Sequence, residues 1–288
     1  MIDKLALGTV QFGTVYGINN KNGQVPEKEV AGILRRAGLA GIDMLDTAQS
    51  YGESEAVLGT ALQSLNSRFK IVSKFVAGPH LTPRRLFSES LIRLKADRLY
   101  AFLYHKFSDF RDYPGWHEEL LELKTGGHLE KVGFSVYYPQ ELQSLLDRGV
   151  KFDIVQLPYN VFDRRFEFLF PALRKQNIEV HVRSVFLQGL VFMKSSEIPA
   201  ALAGIKTKIS RLHAVSKKSG VPVSALCLCF GLLNDGIDRV VIGVDGLADL
   251  ENNLTGLNRR AETEKVCDEL CLLREDDEGL ILPSKWKK

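Results

Sequence analysis

The stretch from Ile42 to Phe75, IDMLDTAQSYGESEAVLGTALQSLNSRFKIVSKF, decides how the chain folds. It opens with a short apolar run at 42–46, repeats apolar residues at helical spacing over 54–65, and closes with a second apolar run at 69–75. Short apolar runs bounded by polar loops predict strands, and a period near 3.6 residues predicts a helix between them. The stretch is therefore predicted to be one strand–helix–strand unit of a parallel sheet.

The same alternation continues along the chain and predicts eight β/α units. The expected strands are 5–9, 42–46, 69–75, 99–104, 131–136, 152–157, 178–183 and 239–244. Their nearly continuous apolar runs are typical of strands with both faces buried. Eight such units favour an α/β fold, a (β/α)8 TIM barrel forming a single domain over residues 1–288, rather than an open doubly wound sheet.

The first long helix is expected to begin near Pro26. Val30, Ile33, Leu34 and Leu39 are predicted to form its inner face. The ends of the chain, residues 1–4 and 276–288, are expected to lie outside the repeating units.

Composition excludes several classes of function. A formal charge of +3 over 288 residues, without a block of Lys and Arg, gives no reason to expect nucleic-acid binding. We find no apolar stretch as long as a membrane span and no secretory signal at the start, so a cytoplasmic location is expected. The four cysteines, Cys227, Cys229, Cys267 and Cys271, lack zinc-site spacing, so we expect reduced thiols and no metal.

Four polar residues follow three of the expected strands and form the candidate catalytic group: Asp46, Tyr51, Lys74 and His105. Because the carboxyl ends of parallel strands meet at one rim of a barrel, these side chains are expected to gather there. A free tyrosine with a pKa near 10 donates its proton poorly, and a nearby ammonium group lowers that pKa. A carboxylate keeps the ammonium charged, and a histidine N–H can hold a carbonyl oxygen.

Six motifs in order resemble the aldo-keto reductase family: LGTVQFG at 7–13, DTAQSYGESE at 46–55, SK at 73–74, LYH at 103–105, GFS at 133–135 and QLPYN at 156–160. The resemblance implies that Tyr51 is the general acid and that Lys74 lowers its pKa. It also implies that Asp46 pairs with Lys74 and that His105 orients the carbonyl. It further implies a nicotinamide cofactor, NADPH or NADH, as hydride donor.

The resemblance also implies a set of cofactor contacts. Ser135 and Gln156 match positions at the nicotinamide carboxamide, Asn253 matches a position at the adenine, and residues 184–189 match the pyrophosphate loop. The full set is Gly8, Thr9, Asp46, Ser135, Gln156, Arg183, Ser184, Phe186, Gln188, Gly243 and Asn253. The glycines of the first motif do not have GxGxxG spacing, so a Rossmann-type site is not expected.

The chain departs from the family pattern at three places. Val136 stands where an asparagine is common, so one carboxamide hydrogen bond is expected to be missing. Arg183 stands where many members carry an aromatic residue that stacks on the nicotinamide. Its planar guanidinium is expected either to stack there or to bind substrate or phosphate through its charge. Gly243, Val244 and Asp249 stand where basic residues bind the 2′-phosphate of NADPH, so we expect NADH to work as well as NADPH.

The leading hypothesis is NAD(P)H-dependent reduction of an aldehyde or ketone, with sugar derivatives among the candidate substrates. A second hypothesis is a catalytically idle barrel that binds nucleotide as an accessory or regulatory subunit, and a third is a Schiff-base enzyme using Lys74. Residues 17–23 either border the substrate or are inert surface, and the segment after Glu275 is short for a substrate lid. The expected partner is a small-molecule carbonyl compound, and the expected state is a monomer or small homo-oligomer.

Overall fold

The computed structural model describes residues 2–65 and 69–286. Its eight strands form a closed barrel in which every neighbouring pair is parallel, and β8 pairs with β1 to close the ring. The strands are β1 Leu5–Gly8, β2 Met44–Asp46, β3 Lys70–Phe75, β4 Leu99–Tyr104, β5 Leu129–Ser135, β6 Ile154–Pro158, β7 Glu179–Arg183 and β8 Arg239–Gly243. The expected single-domain (β/α)8 barrel is confirmed, with strand ends within two residues of their expected positions.

Helices separate the strands and cover the outside of the barrel. The α-helices are α1 Val10–Gly13, α2 Glu27–Ala40, α3 Ser54–Gln63, α4 Pro83–Leu94, α5 Phe107–Asp112, α6 Trp116–Thr125, α7 Pro139–Asp147, α8 Phe170–Lys175, α9 Lys206–Ser219, α10 Val223–Leu233, α11 Leu247–Gly256, α12 Arg260–Glu264, α13 Cys267–Cys271 and α14 Glu278–Ile281. Short 3-10 helices lie at Ile2–Lys4, Glu167–Leu169, Leu187–Phe192, Ala200–Ile205, Leu257–Arg259 and Pro283–Lys285.

Helix α2 shows which part of the helical pattern carries the fold. Val30, Ile33 and Leu34 are fully buried against the barrel, as expected. The expectation for Leu39 was wrong, because its side chain is 79% exposed. Five residues beyond Leu34 correspond to about 140° of rotation around a helix, which turns Leu39 away from the buried face.

The interior of the barrel contains a small apolar core with polar groups at both ends. Residues of this core include Ala6, Met44, Val72, Leu103, Ile154 and Val241. At the amino-terminal end, the Tyr100 hydroxyl donates a hydrogen bond of 2.8 Å to Glu179, and Lys131 Nζ lies 3.0 Å from the same carboxylate. His181, fully buried on β7, lies 3.5 Å from Glu179. Contacts among these groups link the starts of β4, β5 and β7 and stabilise the amino-terminal end of the barrel.

All four cysteines are free thiols. Cys227 and Cys229 are fully buried on α10, and burial raises the pKa of Cys227 to about 12. Within the described ranges, we find no group of three or more His, Cys, Asp or Glu side chains arranged to hold a metal ion. No helix in that same part of the chain is long and apolar enough to cross a membrane.

Candidate active site

The carboxyl ends of β2 and β3 bring the first two candidate catalytic residues into direct contact. Asp46 is the last residue of β2 and Lys74 the penultimate residue of β3. Lys74 is fully buried, and its Nζ donates to Asp46 Oδ1 at 2.7 Å and to the Thr47 carbonyl at 2.8 Å. A buried ammonium needs such partners, so the pair fixes both side chains beneath the rim.

Tyr51 lies above this pair, on the loop between β2 and α3. Lys74 Nζ is 5.0 Å from the centre of the Tyr51 ring, and the His105 ring meets it edge-on at a centroid distance of 5.6 Å. Gly13 lets the backbone of this loop approach closely, because a Cβ at position 13 would lie 1.9 Å from the Tyr51 carbonyl oxygen. The four residues that the sequence singled out therefore meet at one rim.

The pKa of Tyr51 differs from the expectation. Burial, and then the charge of Asp46, raise the pKa of Tyr51 above its ordinary value of 10, while Arg183 lowers it. Lys74 Nζ is held by Asp46 at 2.7 Å, and its attraction for a phenolate does not outweigh the combined effect of burial and Asp46. Tyr51 is therefore a protonated phenol at neutral pH.

His105 is a neutral imidazole next to Tyr51. Burial, followed by the positive charges of Lys74 and Arg183, lowers the pKa of His105 from 6.5 to about 3. Its Nδ1 lies 3.0 Å from Ser50 Oγ. When Ser50 donates that hydrogen bond, Nε2 carries the proton and can donate to an oxygen.

A cavity of about 780 Å³ opens at the carboxyl-terminal face, above these groups. Its volume is in the range of ligand pockets. Tyr51 and most of the expected cofactor residues line it: Gly8, Thr9, Asp46, Arg183, Ser184, Phe186, Gln188, Gly243 and Asn253. The Thr9 hydroxyl donates its proton to the Asp46 carbonyl at 3.0 Å, so it cannot also donate a hydrogen bond to a ligand.

Ser135 and Gln156 lie just beneath the cavity and do not line it. Gln156 Nε2 donates to Asp46 Oδ2 at 2.6 Å, which leaves Gln156 Oε1 as its free acceptor. Among the residues that the structure describes, neither Gln156 Oε1 nor Ser135 Oγ has a hydrogen-bond partner, and both atoms are buried. Buried polar atoms normally have partners, and a primary amide such as a carboxamide supplies both donors and an acceptor. These two residues therefore fit a nicotinamide carboxamide.

The loop after β7 and the loop after β1 meet across the cavity. The backbone of Ser184, Leu187 and Gln188 has positive φ values of 65°, 45° and 54°, a conformation that can turn successive N–H groups toward an anion. The Ile18 N–H donates to the Gln188 carbonyl at 3.0 Å, and Gln188 Nε2 donates to the Tyr16 hydroxyl at 3.0 Å. Of the two readings of residues 17–23, the structure favours a border of the cavity.

Arg183 projects from the end of β7 into the same cavity. Its guanidinium carbon lies 4.1 Å from the centre of the Tyr137 ring, and NH2 donates to the Val136 carbonyl at 3.2 Å. The side chain is therefore held over an aromatic ring, and its charge acts on Tyr51.

The part of the cavity wall formed by the turn after β8 is acidic. Asp245 and Asp249 both line it, and Asp249 Oδ2 accepts a hydrogen bond of 3.0 Å from the Asp245 N–H. Burial, and then the charge of Asp249, raise the pKa of Asp245 above its ordinary value. Arg259 also lines the cavity, and its Nε is buried without a partner.

Sequence reasoning missed Tyr16, Tyr137, Asp245 and Arg259. Tyr137 lies two residues past the end of β5, so the strand-end rule that found His105 could have found it. Arg259 follows the end of α11 and approaches the cavity only through the fold, so no local signal marks it. The C-terminal segment folds back on itself, with Trp286 Nε1 donating to the Leu280 carbonyl at 3.2 Å, and its described residues do not line the cavity.

A closed eight-stranded barrel with a polar cluster and a long cavity at its carboxyl-terminal face defines a TIM-barrel enzyme architecture. A sequence profile of the Aldo/keto reductase family matches residues 4–269. The chain belongs to this family and is an oxidoreductase.

Similar proteins of known sequence cover nearly the whole chain. An uncharacterized oxidoreductase of Bacillus subtilis (strain 168) is 25% identical over 92% of this chain and 90% of its own length. The L-galactose dehydrogenase of Arabidopsis thaliana is 24% identical over 98% of this chain and 94% of its own length.

Solved structures show the same fold. The holo form of an aldo-keto reductase from Bacillus halodurans superposes with a TM-score of 0.72 at 20% identity, covering 96% of this chain and 95% of that one. A putative aldo-keto reductase from Pseudomonas aeruginosa superposes with a TM-score of 0.67 at 22% identity, covering 91% and 90%.

Proposed function

We propose that this oxidoreductase reduces the carbonyl group of an aldehyde or ketone to an alcohol, with NADH or NADPH as the reductant. The observation that carries the proposal is the assembly of Tyr51, Lys74, Asp46 and His105 at one rim of the barrel, where Tyr51 and Asp46 line the cavity. Sugars and sugar derivatives are the first substrates to test, because a relative that covers nearly the whole chain is an L-galactose dehydrogenase.

The proposed proton path uses the chain's own residues. The Tyr51 hydroxyl, protonated at neutral pH, donates its proton to the carbonyl oxygen as that oxygen gains negative charge. His105 Nε2–H holds the same oxygen in place, since a neutral imidazole can donate one hydrogen bond. The Tyr51 phenolate left behind is stabilised by the positive charge of Arg183 and later regains a proton from solvent.

The residues present fit a nicotinamide cofactor. When bound, such a cofactor supplies the hydride that the carbonyl carbon receives. Ser135 and Gln156 would hold its carboxamide through their unpartnered buried oxygens. The loop 184–189 would hold its pyrophosphate through backbone N–H groups, and Asn253 would contact the adenine.

Two alternatives are weaker. A Schiff-base enzyme needs a neutral lysine that can reach a carbonyl carbon, whereas Lys74 is fully buried and paired with Asp46. An idle nucleotide-binding barrel would have no use for a buried Asp46–Lys74 pair beneath Tyr51, because a buried ion pair is a poor source of stability. Both alternatives predict that aldehydes cause no Tyr51-dependent oxidation of NADH or NADPH.

The decisive experiment follows NADH and NADPH oxidation by absorbance with a panel of small aldehydes and aldoses. Tyr51→Phe is expected to lower kcat by about 100- to 10,000-fold, the usual contribution of a general acid, with little change in cofactor binding. Tyr113→Phe is the matched control, because Tyr113 packs on Trp116 and lies apart from the catalytic group. Equal turnover by Tyr51→Phe and the unaltered protein would refute the proposal.

A further inference from the structure

We propose that Arg183 selects carbonyl substrates that carry a carboxylate, and that it binds this carboxylate inside the cavity, near Tyr51. This inference rests on the proposed carbonyl reductase function and names a substrate class for that site.

The first argument is geometric. Arg183 ends β7 and its guanidinium is held by the Tyr137 ring on one face and by the Val136 carbonyl at one nitrogen. A guanidinium has five N–H donors in a planar fork, so most donors remain after these contacts. Because the fork is already oriented, binding an anion orders little additional structure.

The second argument is charge balance. Within residues 2–65 and 69–286, no carboxylate forms an ion pair with Arg183. By contrast, the partly buried Arg164 and Arg165 pair with Glu167 and Asp163. A partly buried cation without a counter-ion is costly, and an anionic ligand removes that cost.

The third argument is position. Asp46 and Lys74 pair with each other, which leaves Arg183 as the cation without a carboxylate partner near Tyr51, and the exposed Lys106 as a further cation near His105. Arg183 lowers the pKa of both Tyr51 and His105, which places its charge close to where the carbonyl reacts. Asp245 and Asp249 make the part of the cavity wall after β8 acidic, so an anionic substituent is attracted to Arg183 rather than to that part of the wall.

A carboxylate fits this position better than other groups, because the guanidinium fork matches its two oxygens and forms paired, charge-assisted hydrogen bonds. The competing anion is the cofactor pyrophosphate. The two assignments differ in what Arg183 changes: a substrate carboxylate makes its effect selective for one class of substrate, whereas a pyrophosphate makes it equal for all.

The experiment compares succinic semialdehyde with butanal, which have the same carbon chain and differ in the terminal carboxylate. In the unaltered protein kcat/KM is expected to be at least about tenfold higher for the acid, the size of one charge-assisted hydrogen bond. Because the Arg183 charge also favours the Tyr51 phenolate, Arg183→Leu is expected to lower kcat/KM for both aldehydes, and by about 10- to 100-fold more for the acid than for butanal. Arg183→Lys is expected to recover part of the preference, because it keeps the charge but loses the fork.

Two controls separate the alternatives. Lys106→Leu removes the same charge from an exposed position and is expected to leave kcat/KM unchanged for both aldehydes. If Lys106→Leu lowers the preference for the acid as much as Arg183→Leu does, the preference comes from the overall positive charge around the cavity, and the proposal is overturned. Dissociation constants of NADH and NADPH, from quenching of tryptophan fluorescence, are expected to be the same in Arg183→Leu. Weaker cofactor binding with equal losses for both aldehydes would assign Arg183 to the cofactor and overturn the proposal.

A binding measurement keeps the inference independent of turnover. If no carbonyl compound is reduced, the proposed function fails, and calorimetric titration of 4-hydroxybutyrate and 1-butanol into the NAD⁺-loaded protein still tests the carboxylate site. Binding of the hydroxy acid to the unaltered protein but not to Arg183→Leu supports the site. Equal binding by both proteins, or no binding at all, contradicts it.

Discussion

At the scale of single residues, charge around one phenol determines what this site can do. Burial and Asp46 hold Tyr51 in its protonated form, and Arg183 is the cation that offsets them. His105 is neutral, because burial and two nearby cations oppose its protonation. A protonated phenol next to a neutral imidazole is suited to giving a proton to a carbonyl oxygen.

This arrangement predicts a pH profile. Reduction needs protonated Tyr51 and neutral His105; the pKa of His105 is about 3 and that of Tyr51 lies above 10. We therefore expect kcat/KM for butanal to be flat from about pH 5 to pH 9. Arg183→Leu removes a charge that favours the phenolate, so it is expected to move the alkaline fall to higher pH. A fall in kcat/KM for butanal as the pH is lowered through neutrality would show that His105 titrates there, and would contradict the assignment of His105 as a neutral imidazole.

The sequence located the four catalytic candidates because each lies where a strand ends, and strand ends are readable from apolar runs. It did not reveal that Arg183 packs on Tyr137, since the two residues belong to different strand ends and meet only after the barrel closes. The balance between Lys74 and Asp46 was equally hidden, because it depends on a 2.7 Å contact and on complete burial.

At the scale of elements, the turn from β8 to α11 is expected to influence the choice of cofactor. Asp245 and Asp249 line this part of the cavity, and their carboxylates repel a 2′-phosphate. Arg259 also lines the cavity and is the cation in reach of this region. We therefore expect the acidic turn to favour a dinucleotide without the 2′-phosphate.

Cofactor titrations test this turn. We expect NADPH to bind no more than about tenfold tighter than NADH, and Asp249→Arg to improve NADPH binding by about tenfold or more through one charge-assisted hydrogen bond. Asp268→Arg on α13 makes the same change in charge at an exposed position and is expected to leave both constants unaltered. NADPH binding a hundredfold tighter than NADH in the unaltered protein would refute the interpretation.

Elements with a regular period were predictable, and elements with unusual backbone were not. Apolar spacing located α2 and β3, and the Thr82–Pro83 start of α4 is a helix-start signal that the structure shows, with Thr82 Oγ1 accepting from the Arg85 N–H at 3.2 Å. The segment 187–192 is different, because Leu187 and Gln188 adopt positive φ without being glycine. Nothing in residue type announces that conformation, so the cavity wall there needed the structure.

At the scale of the whole molecule, the two ends of the barrel have separate tasks. The carboxyl-terminal end carries the cavity, whereas Glu179 at the amino-terminal end joins Tyr100, Lys131 and His181. Mutations at the amino-terminal end are therefore expected to change stability rather than chemistry.

Glu179 gives this division a measurable form. Despite the opposing effect of burial, its hydrogen bonds and nearby cations lower the pKa of Glu179 from 4.5 to about 2. A carboxylate with a lowered folded-state pKa stabilises the protein above its unfolded pKa, and that contribution is lost as pH falls through the folded value. Urea unfolding from about pH 5 to pH 2 is expected to show a loss of at most about 3 kcal/mol that Glu179→Gln lacks.

Glu264→Gln, at an exposed carboxylate on α12, is the control for general acid effects. The prediction is wrong if Glu179→Gln and Glu264→Gln lose stability over the same pH range by the same amount. Turnover by Glu179→Gln at neutral pH is expected to resemble that of the unaltered protein, since Glu179 lies at the opposite end of the barrel from Tyr51.

Each of the eight strands is paired on both sides, because β8 hydrogen-bonds to β1. The sheet therefore presents no open backbone edge onto which a strand from another molecule could be added. A concentrated solution of the folded protein is protected from templated fibril growth, and copies that do associate have to meet through helices and loops.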